Sequence, residues 1–346
     1  MHMTEPPVTL KQVAIAAGVS VNTVSAVMRG RSQDARISER LSQRVRSVAD
    51  SLQYRPNASA RSTRTGRFGG VGLLLSAIGR RSSLPPALFR GIHDALAQRD
   101  LHLTTAVLPD AKLAGDDLAP KVLREFMVDA FLINYTDNIP PAMLESIRRH
   151  HLPSVWLNAK LGADAVYYDE RAGAAELTRR LLEMGHRRIA YYDAANRSGL
   201  DNPHYSCTDR ELGYAQVLVE AGLRPRVVRR SASEFDQVAV LRDLLSTPDR
   251  ATAVVCYSDR HAVTVAYVGA MLGLRVPEDL SVAGFESEPT YQLGKRITAM
   301  SLPEHAAGHA AVEEAVHKVE APQSLRPPRV LPLHFEPGMT AAPPPS

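Results

Sequence analysis

The chain has 346 residues, more than one ordinary domain holds and enough for two or three. Hydrophobic residues make up 45% and charged residues 23%, a globular composition that argues against a disordered chain, and the net charge is +4. No apolar run approaches the ~18 residues of a spanning helix, the opening residues lack a secretory pattern, and Cys207 and Cys256 make no disulfide framework. Secreted, membrane and zinc-finger classes are set aside, no cofactor is expected, and the expected location is a reducing cytoplasm.

The charge is unevenly spread. Residues 1–67 hold 11 Lys and Arg against 4 acids, and the remainder holds 30 basic against 33 acidic residues. A small basic unit on a near-neutral body is the footprint of nucleic-acid binding, although a solvated basic face gives the same count. The local pattern separates the two readings. Thr9 is placed to cap a helix whose apolar residues Leu10, Val13, Ala14 and Ala17 recur at helical spacing, with Gly18 ending it. Ser20 then caps a second helix expected to turn Val21, Val24 and Val27 or Met28 inward. A third helix is predicted over Ser38 to Leu52, packing through Leu41, Val45, Val48 and Leu52. Two short helices joined by a Gly turn read as a helix-turn-helix, whose second helix enters the DNA major groove.

Next, Pro56 stops the preceding helix, Asn57 is a good N-cap and Gly66 a good terminator. The short helix between them forms only when something packs against it, such as its symmetry mate and a minor groove. The run Leu10-Lys11-Gln12-Val13-Ala14-Ile15-Ala16-Ala17-Gly18-Val19-Ser20-Val21-Asn22-Thr23-Val24-Ser25 resembles the headpiece of LacI/GalR-family transcription regulators. Tyr54-Arg55-Pro56-Asn57-Ala58-Ser59-Ala60-Arg61-Ser62 resembles that family's hinge helix.

Beyond the linker, apolar runs at Val71–Leu75, Leu103–Val107, Ala130–Asn134, Val155–Leu157, Ile189–Tyr192, Ala253–Cys256 and Leu280–Phe285 are predicted as buried strands. Helix-length segments alternate with them: Leu88–Arg99, Arg171–Met184, Arg210–Ala221, Val238–Leu245, Asp259–Leu272 and Pro303–Val319. Such alternation implies parallel sheets covered by helices, with ligands at the carboxyl ends of the strands. The segments Glu183-Met184-Gly185-His186-Arg187-Arg188-Ile189-Ala190 and Val276-Pro277-Glu278-Asp279-Leu280-Ser281-Val282-Ala283-Gly284-Phe285 resemble the same family's body.

The expected fold is therefore α/β with an all-α N-terminal headpiece: a helix-turn-helix domain (1–55), a hinge helix and linker (56–67), and a two-lobed body of doubly wound parallel sheets (68–338). The body is expected to be similar to periplasmic binding proteins. The family resemblance implies three crossings between lobes, near Asp169, Pro289 and Pro322, which places lobe 1 at about 68–168 and 290–321 and lobe 2 at about 169–289 and 322–338. The Pro-rich residues 339–346 are expected to be disordered.

The resemblance implies a homodimeric regulator, most commonly a repressor, that binds a partly palindromic double-stranded operator under control of a small effector, a carbohydrate, with no membrane partner. It casts Thr9, Ser20, Val21, Asn22, Thr23, Ser25 and Ala26, then Arg29, Asn57, Ala60, Arg61, Thr63 and Arg64, as DNA-facing residues; Arg29, Arg31, Arg61 and Arg64 would contact phosphates or the minor groove. Asn22 suits adenine and Ala26 a thymine methyl. Arg210 and Asp259 correspond to the family's effector-binding Arg and Asp, a fork of donors and a two-oxygen acceptor suited to vicinal hydroxyls. Asp259 serves equally well as a helix cap, and Phe285 and Trp156 either stack on a sugar or pack in the core. Thr63 departs from the family's common Leu wedge and Ala26 from a common Arg, and the segment from Arg31 to Arg36 is longer than usual.

Two other classes share parts of this pattern. A solute-binding receptor would have the body without the basic unit, and a sugar-modifying α/β enzyme would need a catalytic pair the sequence does not display. His305 and His309 stand i, i+4 on a predicted helix, but with no evident third ligand no metal site is expected. The Gly66–Gly72 segment precedes a strand, the wrong context for a phosphate loop. The stretch Asn196–Asp209 reads as a surface loop at the cleft mouth.

Overall fold

A computed structural model describes residues 8–28, 30, 32–33, 35–54, 66–79, 81–108, 127–194, 203–229, 236–292 and 294–345. Arg29, Arg31, Asn57, Ala60, Arg61, Thr63, Arg64, the hinge helix, and 196–202 of the predicted cleft loop lie outside the described residues. The chain divides into two units, Met1–Phe68 and Gly69–Ser346.

In the first unit, α1 (Leu10–Ala17) is held at its start by a capping box. The Gln12 N–H donates to Thr9 Oγ1 at 3.3 Å, and the Thr9 N–H donates to Gln12 Oε1 at 2.7 Å. Gly18, at φ 66°, takes the left-handed turn that ends the helix. Helix α2 (Val21–Met28) follows at 105° to α1, and α3 (Glu39–Ser51), capped by Ser38, closes the unit. Val13, Ala14, Ala17, Val24, Val27, Val45 and Ala49 form its core. Two expectations for α2 change. Val21 opens the helix outside that core and is 42% exposed rather than turned inward, and Ser25, expected to face DNA, is buried beside Val24.

The second unit holds two six-stranded sheets. The first contains β1 (Gly70–Ser76), β2 (His102–Leu108), β3 (Ala130–Asn134), β4 (Ser154–Leu157), β5 (Ala165–Tyr168) and a late strand, Arg329–Leu331; its order is late strand, β5, β4, β3, β1, β2, and every pair is parallel. Helix α4 (Pro86–Ala97) joins β1 to β2, and α5 (Pro141–Arg149) joins β3 to β4. The chain then enters the second lobe with α6 (Glu170–Glu183), β6 (Ile189–Asp193), α7 (Ser206–Glu220), β7 (Arg226–Arg229), α8 (Asp236–Ser246), β8 (Ala253–Cys256), α9 (Asp259–Met271) and β9 (Ser281–Glu286). A two-stranded ribbon, β10 (Tyr291–Gln292) with β11 (Lys295–Arg296), precedes β12 (Thr298–Ser301), which pairs parallel to β9. Helix α10 (Glu304–Glu320) packs back on α4 and the first sheet. The strand after it, β13 (Arg329–Leu331), completes the first sheet, and β14 (His334–Glu336) pairs antiparallel with β12 in the second.

The crossings between lobes thus follow Tyr168, Ser301 and Leu331. Those expected near Pro289 and Pro322 are corrected: Pro289 leads into the ribbon and β12 of the same lobe, and the turn at Pro322 returns the chain to β13 of the first sheet. Short strands such as β12 and the edge strand β13 carry little periodic signal, which is why they escape a sequence reading.

The tail expected to be disordered is also corrected. Thr340 is 1% exposed; its hydroxyl accepts from the Thr298 N–H at 2.9 Å and donates to Val282 O at 2.6 Å, while its carbonyl accepts from the Val282 N–H at 2.7 Å. Buried His186 lies with Nδ1 2.9 Å from Thr252 Oγ1 and donates from Nε2 to Ala342 O at 2.8 Å. Burial lowers the pKa of this imidazole, which leaves it neutral and able to donate and accept at once.

Candidate nucleic-acid interface and effector cleft

In the headpiece, Ser20 precedes α2 and its Oγ accepts from the Thr23 N–H at 3.1 Å; the two hydroxyls lie 2.9 Å apart. Ser20 therefore caps the helix and stays at the surface. Val21 and Asn22 are exposed, Thr23 and Ala26 half-buried. Asn22 offers an amide oxygen and an amide NH2, the pair that reads adenine in the major groove. Thr9 is surface-placed too, but its hydroxyl is engaged in the capping box. Lys11, Arg40 and Arg44 supply exposed positive charge in the same unit.

The body holds a cavity of about 830 Å³ walled by loops after strands of both sheets. Asn158 follows β4, Glu170 follows β5, Tyr257 to Arg260 follow β8, Glu286 ends β9 and Ser287 to Thr290 follow it. This is the place where open α/β sheets bind ligands.

At its centre lies Arg210, from the first turns of α7, with a side chain only 7% exposed. Its Nε and one terminal nitrogen donate to the two carboxylate oxygens of Glu170 at 2.6 and 2.8 Å, and the other terminal nitrogen donates to Tyr257 O. The guanidinium also stands 4.1 Å from the Phe285 ring centroid. Burial alone would weaken its basicity, but the charge and hydrogen bonds of Glu170 more than offset that and raise its pKa. The expected free fork is corrected accordingly. Three of the five N–H groups are engaged, which leaves two for another acceptor.

Asp259 is the first residue of α9, and Ser258 holds the N-cap position. Its Oδ2 accepts from Thr290 Oγ1 at 2.6 Å and its Oδ1 from the Arg260 N–H at 2.8 Å, so each oxygen keeps a free lone-pair direction. Phe285 lines the cavity, with one face taken by Arg210. Trp156 does not line it: its side chain packs with Leu74, Phe131, Ile133 and Met143 in the core under α5, so the stacking alternative for Trp156 is overturned.

Around this centre runs a polar network that the sequence reading missed. His204 Nε2 donates to Asn158 O at 3.0 Å and its Nδ1 accepts from Ser206 Oγ at 2.7 Å. Ser206 Oγ lies 2.9 Å from the Tyr257 hydroxyl, and Tyr205 donates to Asn158 Oδ1 at 2.8 Å. Burial lowers the His204 pKa and raises those of Tyr205 and Tyr257, which keeps all three neutral. Ser206 and Arg210 belong to α7, so the expected cleft loop ends in a helix that begins inside it.

The walls are acidic. Asp137, Glu170, Asp259, Glu286, Glu288 and Glu304 face Arg210 and Arg260. Glu170 is matched by Arg210, and Glu286 by Arg296 at 3.1 Å. Glu304 is buried; Oε1 accepts from Ser287 Oγ at 2.7 Å, and Oε2 has no hydrogen-bond partner. Burial pushes this carboxyl up to about 7. Each of these residues sits at or just beyond a strand end, so the strand-end rule, applied throughout the body, is the signal that would have found them.

Comparison with known proteins bears on both sites. The profile of bacterial regulatory proteins of the lacI family matches residues 9–57, and that of a periplasmic binding protein-like domain matches residues 178–340. The chain thus carries a helix-turn-helix domain of the lacI-family type and a periplasmic binding protein-like domain. Over 320 residues it is 28% identical to the ribose operon repressor of Haemophilus influenzae, covering 91% of this chain and 92% of that protein. It is 26% identical to the transcriptional repressor PurR of Vibrio atlanticus, covering 95% and 96%. Among solved structures, the lac repressor dimer bound to operator and an anti-inducer superposes with TM-score 0.74 at 20% identity, over 97% of this chain and 100% of that one. A LacI-family regulator from Enterococcus faecium with bound ribose superposes with TM-score 0.60 at 22% identity, over 79% and 99%. The lacI-family fold, a helix-turn-helix headpiece followed by a two-lobed body, is thus shared along the chain, and the relatives compared are transcription regulators. Among the described residues no single helix is long and apolar enough to cross a membrane.

Proposed function

We propose that this protein is a cytoplasmic, homodimeric transcription regulator without enzymatic activity, most simply a repressor. It binds a partly palindromic operator through α2 and the basic headpiece, and its affinity is set by a small carbohydrate held between the lobes. The observation that carries the effector half is the cavity itself: a buried, charge-compensated Arg210 with two spare N–H groups, opposite Asp259 with two spare acceptor directions. That is a donor and acceptor set for vicinal hydroxyls. The excess of carboxylates on the walls repels phosphate and carboxylate groups, so the effector is an uncharged sugar rather than a sugar phosphate or uronic acid. Binding shifts operator affinity only if the two lobe arrangements hold the sugar unequally, with a coupling of about 1–3 kcal/mol.

The headpiece contacts divide by role. Ser20 and Thr23 sit at the start of α2, where hydroxyls anchor phosphates, and Asn22 and Ala26 address base edges. Arg29, Arg61 and Arg64, with Asn57, Ala60 and Thr63 of the hinge, remain the residues assigned to phosphates and the minor groove.

The test is selection of bound fragments from sheared genomic DNA by the purified protein at near-physiological salt, where phosphate-only binding is weak. A recovered two-half-site palindrome, released or tightened by a neutral sugar that fails to act on Arg210→Met protein, is the expected result. Fragments without a common sequence, with and without sugars, would overturn the regulator reading.

A further inference from the structure

Helices α4 and α10 of the first lobe cross at backbone contact. A Cβ added to Gly91 would stand 2.1 Å from His305 O, and one added to Gly308 would stand 2.5 Å from both Ile92 N and Leu88 O. The two glycines therefore let the helices approach more closely than side chains allow and hold their register. The register fixes what stands at the solvent rim of the crossing. Asp94 lies one turn beyond Gly91, and His305 and His309 flank Gly308.

The consequence is a juxtaposition of residues 211 positions apart in sequence. His305 Nε2 lies 3.0 Å from Asp94 Oδ2, and the His305 and His309 rings stand 5.0 Å apart between centroids. One ligand atom from each of Asp94, His305 and His309 falls within 4.8 Å of the other two. Two imidazoles and a carboxylate are the donor set of a zinc-like divalent ion, with bonds of about 2.0–2.2 Å. Tetrahedral bonds of that length put ligand atoms about 3.3–3.5 Å apart. The Asp94–His305 edge is already near this value, and movement of the half-buried His309 ring by about an ångström closes the rest. Glu313, one turn further along α10, is held by Arg329 at 2.5 Å and stays outside the donor set, while His93 Nδ1 lies 3.9 Å from Asp94 Oδ1 at the rim, where solvent or this ring can take a fourth position.

We propose that Asp94, His305 and His309 form a surface site for a divalent transition-metal ion, zinc by its donor chemistry, which ties α4 to α10 in the first lobe. The site is separate from the cleft, and it stands whether or not the effector reading does. A bound ion cross-links two helices whose packing already defines the lobe and so stabilises the folded body by mass action.

The experiment uses the metal-free full-length protein titrated with Zn²⁺ by calorimetry, with Co²⁺ as a spectroscopic probe. One ion per chain, a rise in the melting temperature of the body, and the visible bands of four-coordinate Co²⁺ are expected. His309→Ala and Asp94→Asn each weaken binding by roughly tenfold or more and abolish the bands, whereas His150→Ala, an exposed histidine elsewhere, leaves all three readouts unchanged. Because His305 and Asp94 also pair with each other, His309→Ala is the decisive variant. Zinc affinity left unchanged by His309→Ala, or no binding at ten equivalents of Zn²⁺, overturns the proposal.

Discussion

Replacing Glu170 by Gln removes the counter-charge of Arg210 without altering the size of the side chain. In the native protein the two side chains are 1% and 7% exposed and share two short hydrogen bonds. What remains for the guanidinium after the change is Tyr257 O, the Phe285 ring and a single amide oxygen. Breaking a buried pair from one side costs about 3–5 kcal/mol, and the surviving amide oxygen places Glu170→Gln near the lower end, at about 3 kcal/mol. For a body of this size a loss of ~3 kcal/mol lowers the melting temperature by about 6–12 °C. Arg210→Met, which strands the carboxylate instead, costs a similar amount. The double variant Glu170→Gln with Arg210→Met loses much less than the two single losses added together, because neither charge is left buried alone. Thermal unfolding of the full chain, followed through the transition of the body, reads all three. A Glu170→Gln loss below about 1 kcal/mol, or losses that simply add in the double variant, would refute the claim that mutual charge compensation holds the floor of the cleft.

Glu304 gives a pH signature. Its carboxyl titrates at about 7 when folded, against the ordinary 4.5 of a solvated glutamate, so between those values the folded protein holds a proton that the unfolded chain has released. Stability therefore falls as pH rises through this window, by at most about 3 kcal/mol, and Glu304→Gln flattens that slope in urea titrations; an unchanged slope counts against the assignment. Gly91→Ala drives a methyl into His305 O and destabilises the first lobe by about 1–3 kcal/mol or more, measured by chemical denaturation. Asn22→Ala weakens binding to the selected operator by about 1–3 kcal/mol and relaxes preference at one A·T position, read by binding to base-substituted duplexes. Truncation after Gly338 removes the hydrogen bonds of Thr340 and the backbone acceptor of His186, Ala342 O, lowering stability by roughly 2–4 kcal/mol rather than leaving it unchanged as loss of a free tail would.

Much of this architecture is written locally. The capping box at Thr9 and Gln12, the glycine that ends α1, and the apolar stripe of Val13, Ala14 and Ala17 are short-range signals, so the headpiece is legible without a structure. The same holds for central strands such as β3 and β8, whose complete burial demands a continuous apolar run. Edge elements are different. β7, with the sequence Arg-Val-Val-Arg, and β13, with Arg-Val-Leu, are exposed on one side and carry too few apolar residues to announce themselves.

Residue order alone was enough for the helix-turn-helix headpiece and the α/β class of the body, because helical periods, caps and strand runs act over a few neighbours. The remaining features exist only in the folded chain. Folding paired Arg210 with Glu170, forty positions away, drew Trp156 into the core, laid the Pro-rich end against His186, and set Asp94 beside His305 across a glycine crossing. These are contacts between segments far apart in the chain, and what selects them is close packing and the cost of an unpaired buried charge, neither of which has a local period to read.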